Sequence, residues 1–179
     1  MRFLLCLLVS AALLSGAGEL SGRRAPGFSL PDIHLQQHDL ADYRGKIVVL
    51  DIIQTSCPHC AAFAETLQKV HRKYGDKVAV LTIANPPDTQ ATVARFSAGH
   101  KISTPILFDC GQVSVSYLKV TPQHPTIDVP YLFLIDGQGM IRKDFGYEKE
   151  THDIFEGEDL YVEIDRLLGE AAPAKTPVR

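Results

Sequence analysis

Cys57 and Cys60, in the run Cys57-Pro58-His59-Cys60, are the residues of this chain whose types and spacing point most directly to chemistry. Two thiols separated by two residues close a small disulfide ring or, when reduced, hold one sulfur against free backbone amides. An apolar run from Ile47 to Ile53 leads into the pair, and a helix-forming stretch from Ala61 to Tyr74 leads away. A cysteine pair where a buried strand hands over to a helix is an arrangement for dithiol exchange.

With Cys57 as the helix cap, Pro58 falls at the first helical position, where its missing N–H costs nothing, and the free amide dipoles point at the sulfur. A protonated His59 adds positive charge nearby and further favours a Cys57 thiolate. The thiolate belongs to the reduced form, so stabilising it makes the disulfide form more oxidising. An inert structural disulfide and half of a metal site are the competing readings. Tetrahedral zinc would need a second such pair or a nearby histidine pair, and the sequence supplies neither, so no metal is assigned.

Cys60, one turn into the helix, is expected to be more buried and to stay a thiol until it attacks a mixed disulfide on Cys57. That attack needs a proton acceptor, and Asp51 is the candidate. It interrupts an otherwise apolar strand, where a carboxylate is costly unless it is protonated or used. A structural Asp bonded to a neighbouring amide is the alternative. Pro130 opens the run Tyr131 to Ile135, as a proline near a strand must, and taken alone it reads as an ordinary trans boundary residue. Cys110, after Ile106-Leu107-Phe108-Asp109, is expected to be a free buried cysteine; pairing between chains or a second redox thiol are the other readings. His124 and His152 read as loop residues.

The elements that must position these residues follow from periodicity. Ile47 to Ile53 suits a central strand covered on both faces. Pro58 to about Tyr74 reads as a helix with Phe63, Leu67, Val70 and Tyr74 as its apolar stripe, stopped by Gly75. Val78 to Ile83 is a second buried strand, followed by a helix from an Asp88 cap to about Ala98. Ile106 to Phe108 is a short strand, Val113 to Val120 a short helix, and Thr121 to Val129 an irregular connection. Tyr131 to Ile135 and Met140 to Phe145 flank the turn Asp136-Gly137-Gln138-Gly139 as a hairpin. A polar loop, Tyr147 to Gly157, precedes an amphipathic helix marked by Leu160, Ile164, Leu167 and Leu168. Ahead of all these, Phe28-Ser29-Leu30 and Ile33-His34-Leu35 read as short extended pieces and Asp39 to Arg44 as a helical turn. The order implies an α/β fold whose mixed central sheet has a parallel core, an antiparallel edge hairpin and helices on both faces.

The 179 residues suffice for one sizeable core, and a net charge of -3 without a basic block speaks against nucleic acid as a partner. Residues 1–18 have the form of a signal peptide: Arg2, then the apolar run Phe3 to Leu14, then Ser15-Gly16-Ala17 as a cleavage site. A retained membrane anchor is the alternative if it stays uncleaved, and the absence of a cysteine after Ala17 speaks against a lipoprotein. The working compartment is then periplasmic or otherwise extracytoplasmic, and cleavage also removes Cys6. Residues 19–27 are expected to be a linker, 28–170 the folded domain and 171–179 a disordered tail.

From Phe28 to Phe145 the chain resembles the thioredoxin-like superfamily, in particular the TlpA/ResA-like extracytoplasmic thiol-disulfide oxidoreductases. The residues that carry the likeness are Ala25-Pro26-Gly27-Phe28-Ser29-Leu30-Pro31-Asp32, then Leu40 to Leu50, the cysteine pair, and Val129-Pro130-Tyr131-Leu132-Phe133-Leu134-Ile135-Asp136-Gly137. The resemblance implies Cys57 as nucleophile, Cys60 as resolving thiol, Asp51 at the buried acidic position of thioredoxin, and a cis Pro130 packed against the cysteines. It also implies that the Val129 backbone pairs with the substrate chain. The redox group would be the Cys57–Cys60 disulfide itself, with no other cofactor. Partners would be protein thiols or disulfides, with a membrane redox partner.

Three departures bear on the expected direction. Ser56 stands where a Trp usually precedes the first cysteine. Pro58-His59 and Val129 look like those of the DsbA oxidases. Phe63 occupies the position where ResA-like proteins carry an acidic residue, with Glu65 two places later. A disulfide reductase is the leading expectation, with a DsbA-like oxidase or a copper-binding chaperone of the same fold as alternatives. A peroxiredoxin-type peroxidase is disfavoured because the Pro-x-x-x-Thr-x-x-Cys arrangement is absent around Cys57.

Overall fold

A computed structural model describes residues 20–171 of the chain. The segment expected to be a signal peptide, and the expected tail beyond Ala171, lie outside the described residues.

Seven strands and five helices are named here in chain order: β1 (Ser29–Pro31), β2 (Gln37–Asp39), β3 (Ile47–Ile53), α1 (Pro58–Tyr74), β4 (Val78–Ala84), α2 (Gln90–Gly99), β5 (Ile106–Phe108), α3 (Gln112–Leu118), β6 (Tyr131–Ile135), β7 (Ile141–Gly146), α4 (His152–Glu156) and α5 (Glu158–Ala171). β1 and β2 pair as a small antiparallel ribbon, and the other five form one sheet in the order β5-β4-β3-β6-β7. β3 is parallel to β4, and β4 to β5, whereas β6 and β7 run antiparallel. This is a thioredoxin-like α/β fold. Its mixed sheet is the one expected.

β3 lies at the centre because all seven of its residues are buried, and the apolar ones can be covered from both sides. Side chains alternate along a strand, so Val48, Leu50 and Ile52 face one layer and Ile47 and Val49 the other. The first layer is closed by Phe28, Leu30, Leu40, Val113 and Tyr117. The second is closed by Phe63, Leu67 and Val70 of α1, Ile154 and Phe155 of α4, and Leu160, Ile164 and Leu167 of α5. A third cluster gathers Ile53, Cys60, Ala64, Ala84, Val93, Phe96 and Ile106, with Cys57 and Val129 packed against it. Each such aliphatic side chain contributes about 1.5–3 kcal/mol by leaving water, so the cysteine pair sits on a rigid support.

The fold departs from the sequence reading in three places. Residues 20–27 are part of the fold rather than a linker. Gly22 N donates to Ile141 O, Ile141 N to Arg23 O and Ala25 N to Gly139 O, while Leu20 and Ala25 are buried. Ile33 to Leu35 is a turn rather than a strand, because the Asp32 carboxylate accepts from the amides of His34 (2.8 Å) and Gln36 (3.0 Å) and bends the chain there. His152 opens α4 rather than lying in a loop. With only Ile154 and Phe155 apolar, that helix has too few contacts to register as a period, and its packing on α1 fixes it.

If residues 20–26 belong to the fold, a chain starting at Gly27 should unfold in urea with at least about 2 kcal/mol less stability, from the lost Leu20 burial and backbone hydrogen bonds. An unchanged midpoint and slope would restore the linker reading.

Candidate active site

Cys57 caps α1 in extended conformation, with Pro58 in the first turn. Its sulfur accepts from the Cys60 amide at 3.3 Å, and its thiol donates to the Val129 carbonyl at 3.6 Å. The free amides and aligned dipoles of the helix start favour negative charge at that sulfur. Cys57 is half-buried, Ser56, Pro58 and His59 are exposed, and Cys60 is 0 % exposed. The difference follows from helical geometry. Cys60, Phe63, Ala64 and Leu67 share one stripe that faces the core, and Cys57 stands ahead of it at the helix end.

Asp51 has the same strand parity as Ile47 and Val49, which places it on the α1 side of the sheet. It is 0 % exposed, and neither carboxylate oxygen has a hydrogen-bond partner among the described residues. Burial therefore pushes its carboxyl well above the usual carboxylate range. The alternative of a structural Asp bonded to a neighbouring amide finds no such bond. The Cys60 thiol is also pushed up, first by burial, then by its hydrogen bond to Cys57, then by the Asp51 charge. The Asp51 charge thus reaches Cys60 and favours its protonated form.

The Val129–Pro130 peptide is cis. Pro130 is buried at the start of β6, and Val129 is half-buried beside Cys57. Cys57, Cys60, Asp51, Pro58, Val129 and Pro130 are therefore brought to one place, at the C-terminal end of β3 and the start of α1. His59 lies on the same helical turn, and its ring stacks on Tyr147 with centroids 4.4 Å apart.

Cys110 departs from expectation. It is exposed, not buried. The Asp109 carboxylate turns inward to accept from the amides of Val113 (2.9 Å) and Ser114 (3.3 Å), and the tight turn through Gly111 leaves Cys110 outside. Among the described residues, the grouping of His, Cys, Asp and Glu side chains close enough to hold a metal is His152, Asp153 and Glu156, exposed on α4, and it includes neither Cys57 nor Cys60. His124 lies in the irregular connection, exposed.

Two contributors were missed by the sequence reading. Asp88 does not cap α2; Thr89 does, in a reciprocal box with Thr92. Asp88 instead accepts from the Thr55 amide at 2.7 Å and from the Thr55 hydroxyl, fixing the loop that delivers Cys57. Tyr147 comes from the segment read as a polar loop. In both cases the partner is more than thirty residues away, and the one local hint was for Asp88: two candidate caps in succession, Asp88 and Thr89, of which one had to be free for other work.

The AhpC/TSA family matches residues 21–144. The chain belongs to that family. Among curated relatives it is 29% identical over 125 residues to the thiol-disulfide oxidoreductase ResA of Geobacillus thermodenitrificans, covering 68% of this chain and 67% of that one. It is 26% identical over 127 residues to the thioredoxin-like protein YneN of Bacillus subtilis, covering 70% and 71%. Among solved structures, the thioredoxin domain of a thiol-disulfide oxidoreductase from Bacteroides vulgatus shares the fold at TM-score 0.66 and 19% identity, covering 82% of this chain and 96% of that one.

Two measurements check this site. The folded chain keeps the Asp51 proton at pH values where the unfolded chain has released it, so native stability falls as pH rises from about 4 toward the folded-state pKa. Asp51→Asn cannot titrate, so its stability relative to the parent should grow with pH across that window, by up to about 1.4 kcal/mol per pH unit; equal differences at pH 5 and pH 7 in urea unfolding would contradict it. Asp88→Ala should cost about 2 kcal/mol, because three hydrogen bonds to a charged group are lost, two from Thr55 and one from the Thr92 hydroxyl. A loss under about 0.5 kcal/mol, the range of an ordinary surface change, would show that Asp88 does not hold the loop.

Proposed function

We propose that this chain, a thiol-disulfide oxidoreductase of the ResA type, works outside the cytoplasm and reduces disulfides in protein substrates, with Cys57 and Cys60 themselves as the redox group and no other cofactor. The observation that carries this reading is the contrast between two sulfurs one helical turn apart. One is accessible and faces helix amides; the other is fully buried near an unpaired carboxyl.

The Cys57 thiolate attacks one sulfur of a substrate disulfide. That S–S bond breaks, the other substrate sulfur leaves as a thiolate and takes up a proton, and a mixed disulfide joins the substrate to Cys57. Asp51, once it has released its own proton to water, takes the proton of Cys60, whose sulfur displaces the substrate from Cys57. The second substrate thiolate leaves, protonated through Asp51. Two electrons have passed to the substrate, and the pair is left as a disulfide, to be reduced again by a membrane redox partner. Raised basicity suits Asp51 to this work, since a carboxyl that holds its proton firmly can accept one from a thiol. The Val129 backbone, beside the sulfur and ahead of Pro130, offers the edge along which a substrate chain lies.

Residues 1–18, with the form of a signal peptide, support the extracytoplasmic location. No described helix is long and apolar enough to cross a membrane. A second reading, a DsbA-like oxidase running the same steps in reverse, is favoured by Pro58-His59 and Val129.

In a dithiothreitol-driven insulin reduction assay, Cys57→Ser should abolish turnover. Cys60→Ser should lower it by at least about a hundredfold and accumulate a mixed disulfide on Cys57. Undiminished turnover in Cys57→Ser would overturn the assignment. Faster catalysed oxidation of a reduced dithiol peptide than reduction of its disulfide would favour the second reading.

A further inference from the structure

His59 and Phe63 are one turn apart on α1 and so lie on the same side of the helix. Each meets an aromatic ring from the chain after β7. Tyr147 stacks on His59, with centroids 4.4 Å apart and planes inclined by 25°. Phe155 meets Phe63 edge-on at 4.8 Å. Tyr147 and Phe155 in turn contact each other at 5.2 Å, which closes a four-ring ladder from the cysteine motif to the core. His152 packs edge-on against the same tyrosine at 5.5 Å. His59 itself is exposed, and a free histidine side chain there would sample several rotamers. The ladder gives it one, and the ring of Tyr147 is the rung that touches it.

We propose that Tyr147 is a positioning residue for the redox pair, its ring face holding the His59 imidazole, and the positive charge that ring carries when protonated, beside the reduced cysteines. An aromatic face attracts a cation placed over it, and offset stacking adds to that attraction. A positive charge fixed near the start of α1 stabilises the form of the pair that carries negative charge, which is the reduced one. Tyr147 therefore makes the disulfide form more oxidising while touching neither sulfur, and it does so only through His59.

The inference rests on the redox reading above and is tested by the equilibrium with glutathione. In that reaction the Cys57–Cys60 disulfide and two glutathione thiols give the protein dithiol and one glutathione disulfide, so two electrons and two protons pass to the protein. Tyr147→Leu keeps apolar bulk against Phe155 but removes the ring, and should lower the equilibrium constant for protein reduction by about fivefold. That is about 20 mV for a two-electron couple at about 30 mV per decade. Tyr147→Phe keeps the ring and should match the parent. In a His59→Ala background, Tyr147→Leu should change the constant by less than about twofold, because the group through which it acts is gone.

No shift in Tyr147→Leu, an equal shift in both backgrounds, or a Tyr147→Phe variant that behaves like Tyr147→Leu would each overturn the proposal. If the parent forms no Cys57–Cys60 disulfide with glutathione at any ratio, the functional reading itself fails. A measurable equilibrium insensitive to Tyr147 removes only this inference.

Discussion

The contact between the Cys60 amide and the Cys57 sulfur, 3.3 Å long, is the interaction on which the rest of the site depends. It exists only because the chain enters α1 with Cys57 in extended conformation and Pro58 already in helical register. The same turn that presents one sulfur to the free amides carries the other into the core. A single backbone geometry thus sets two chemical environments, and neither could be altered without moving the other.

The rest of the fold holds that turn in place from three directions. From below, β3 ends under it in a fully buried strand, and the one polar side chain of that strand, Asp51, lies on the α1 side. From the side, the cis Val129–Pro130 segment brings a carbonyl to the Cys57 sulfur. From the loop ahead of α2, Asp88 clamps the amide and hydroxyl of Thr55, two residues before Cys57. A buried unpaired carboxyl costs stability, and such costs persist where the group has work to do. Asp51 fits that pattern, since its cost falls at the place where a thiol must lose a proton.

Much of this was legible in the sequence because it rests on local rules. The β-branched run Ile47 to Ile53, the stripe Phe63, Leu67, Val70 and Tyr74, and the Asp136-Gly137-Gln138-Gly139 turn each announce an element by period or turn chemistry, and each forms where expected. Asp51 was legible as an anomaly in an apolar run. What failed was decided at a distance. The apolar Ile33 and Leu35 looked like a strand until the Asp32 side chain took up the amides that a strand would need. Residues 20–27 looked like a linker because their partners, Gly139 and Ile141, stand more than a hundred residues away. Cys110 was placed inside on residue type alone, whereas the turn after Asp109 puts it outside. The stacking of Tyr147 on His59 had no local signature at all.

The central claim is that the two sulfurs differ in reactivity because of where one helical turn puts them. Alkylating the reduced protein with iodoacetamide at pH 7 and following each cysteine by peptide mass spectrometry tests it most directly. The account predicts that Cys57 is modified faster than an ordinary free thiol, while Cys60 stays protected in the folded chain. Cys57 reacting no faster than an unstructured cysteine peptide, or Cys57 and Cys60 reacting at the same rate, would contradict it.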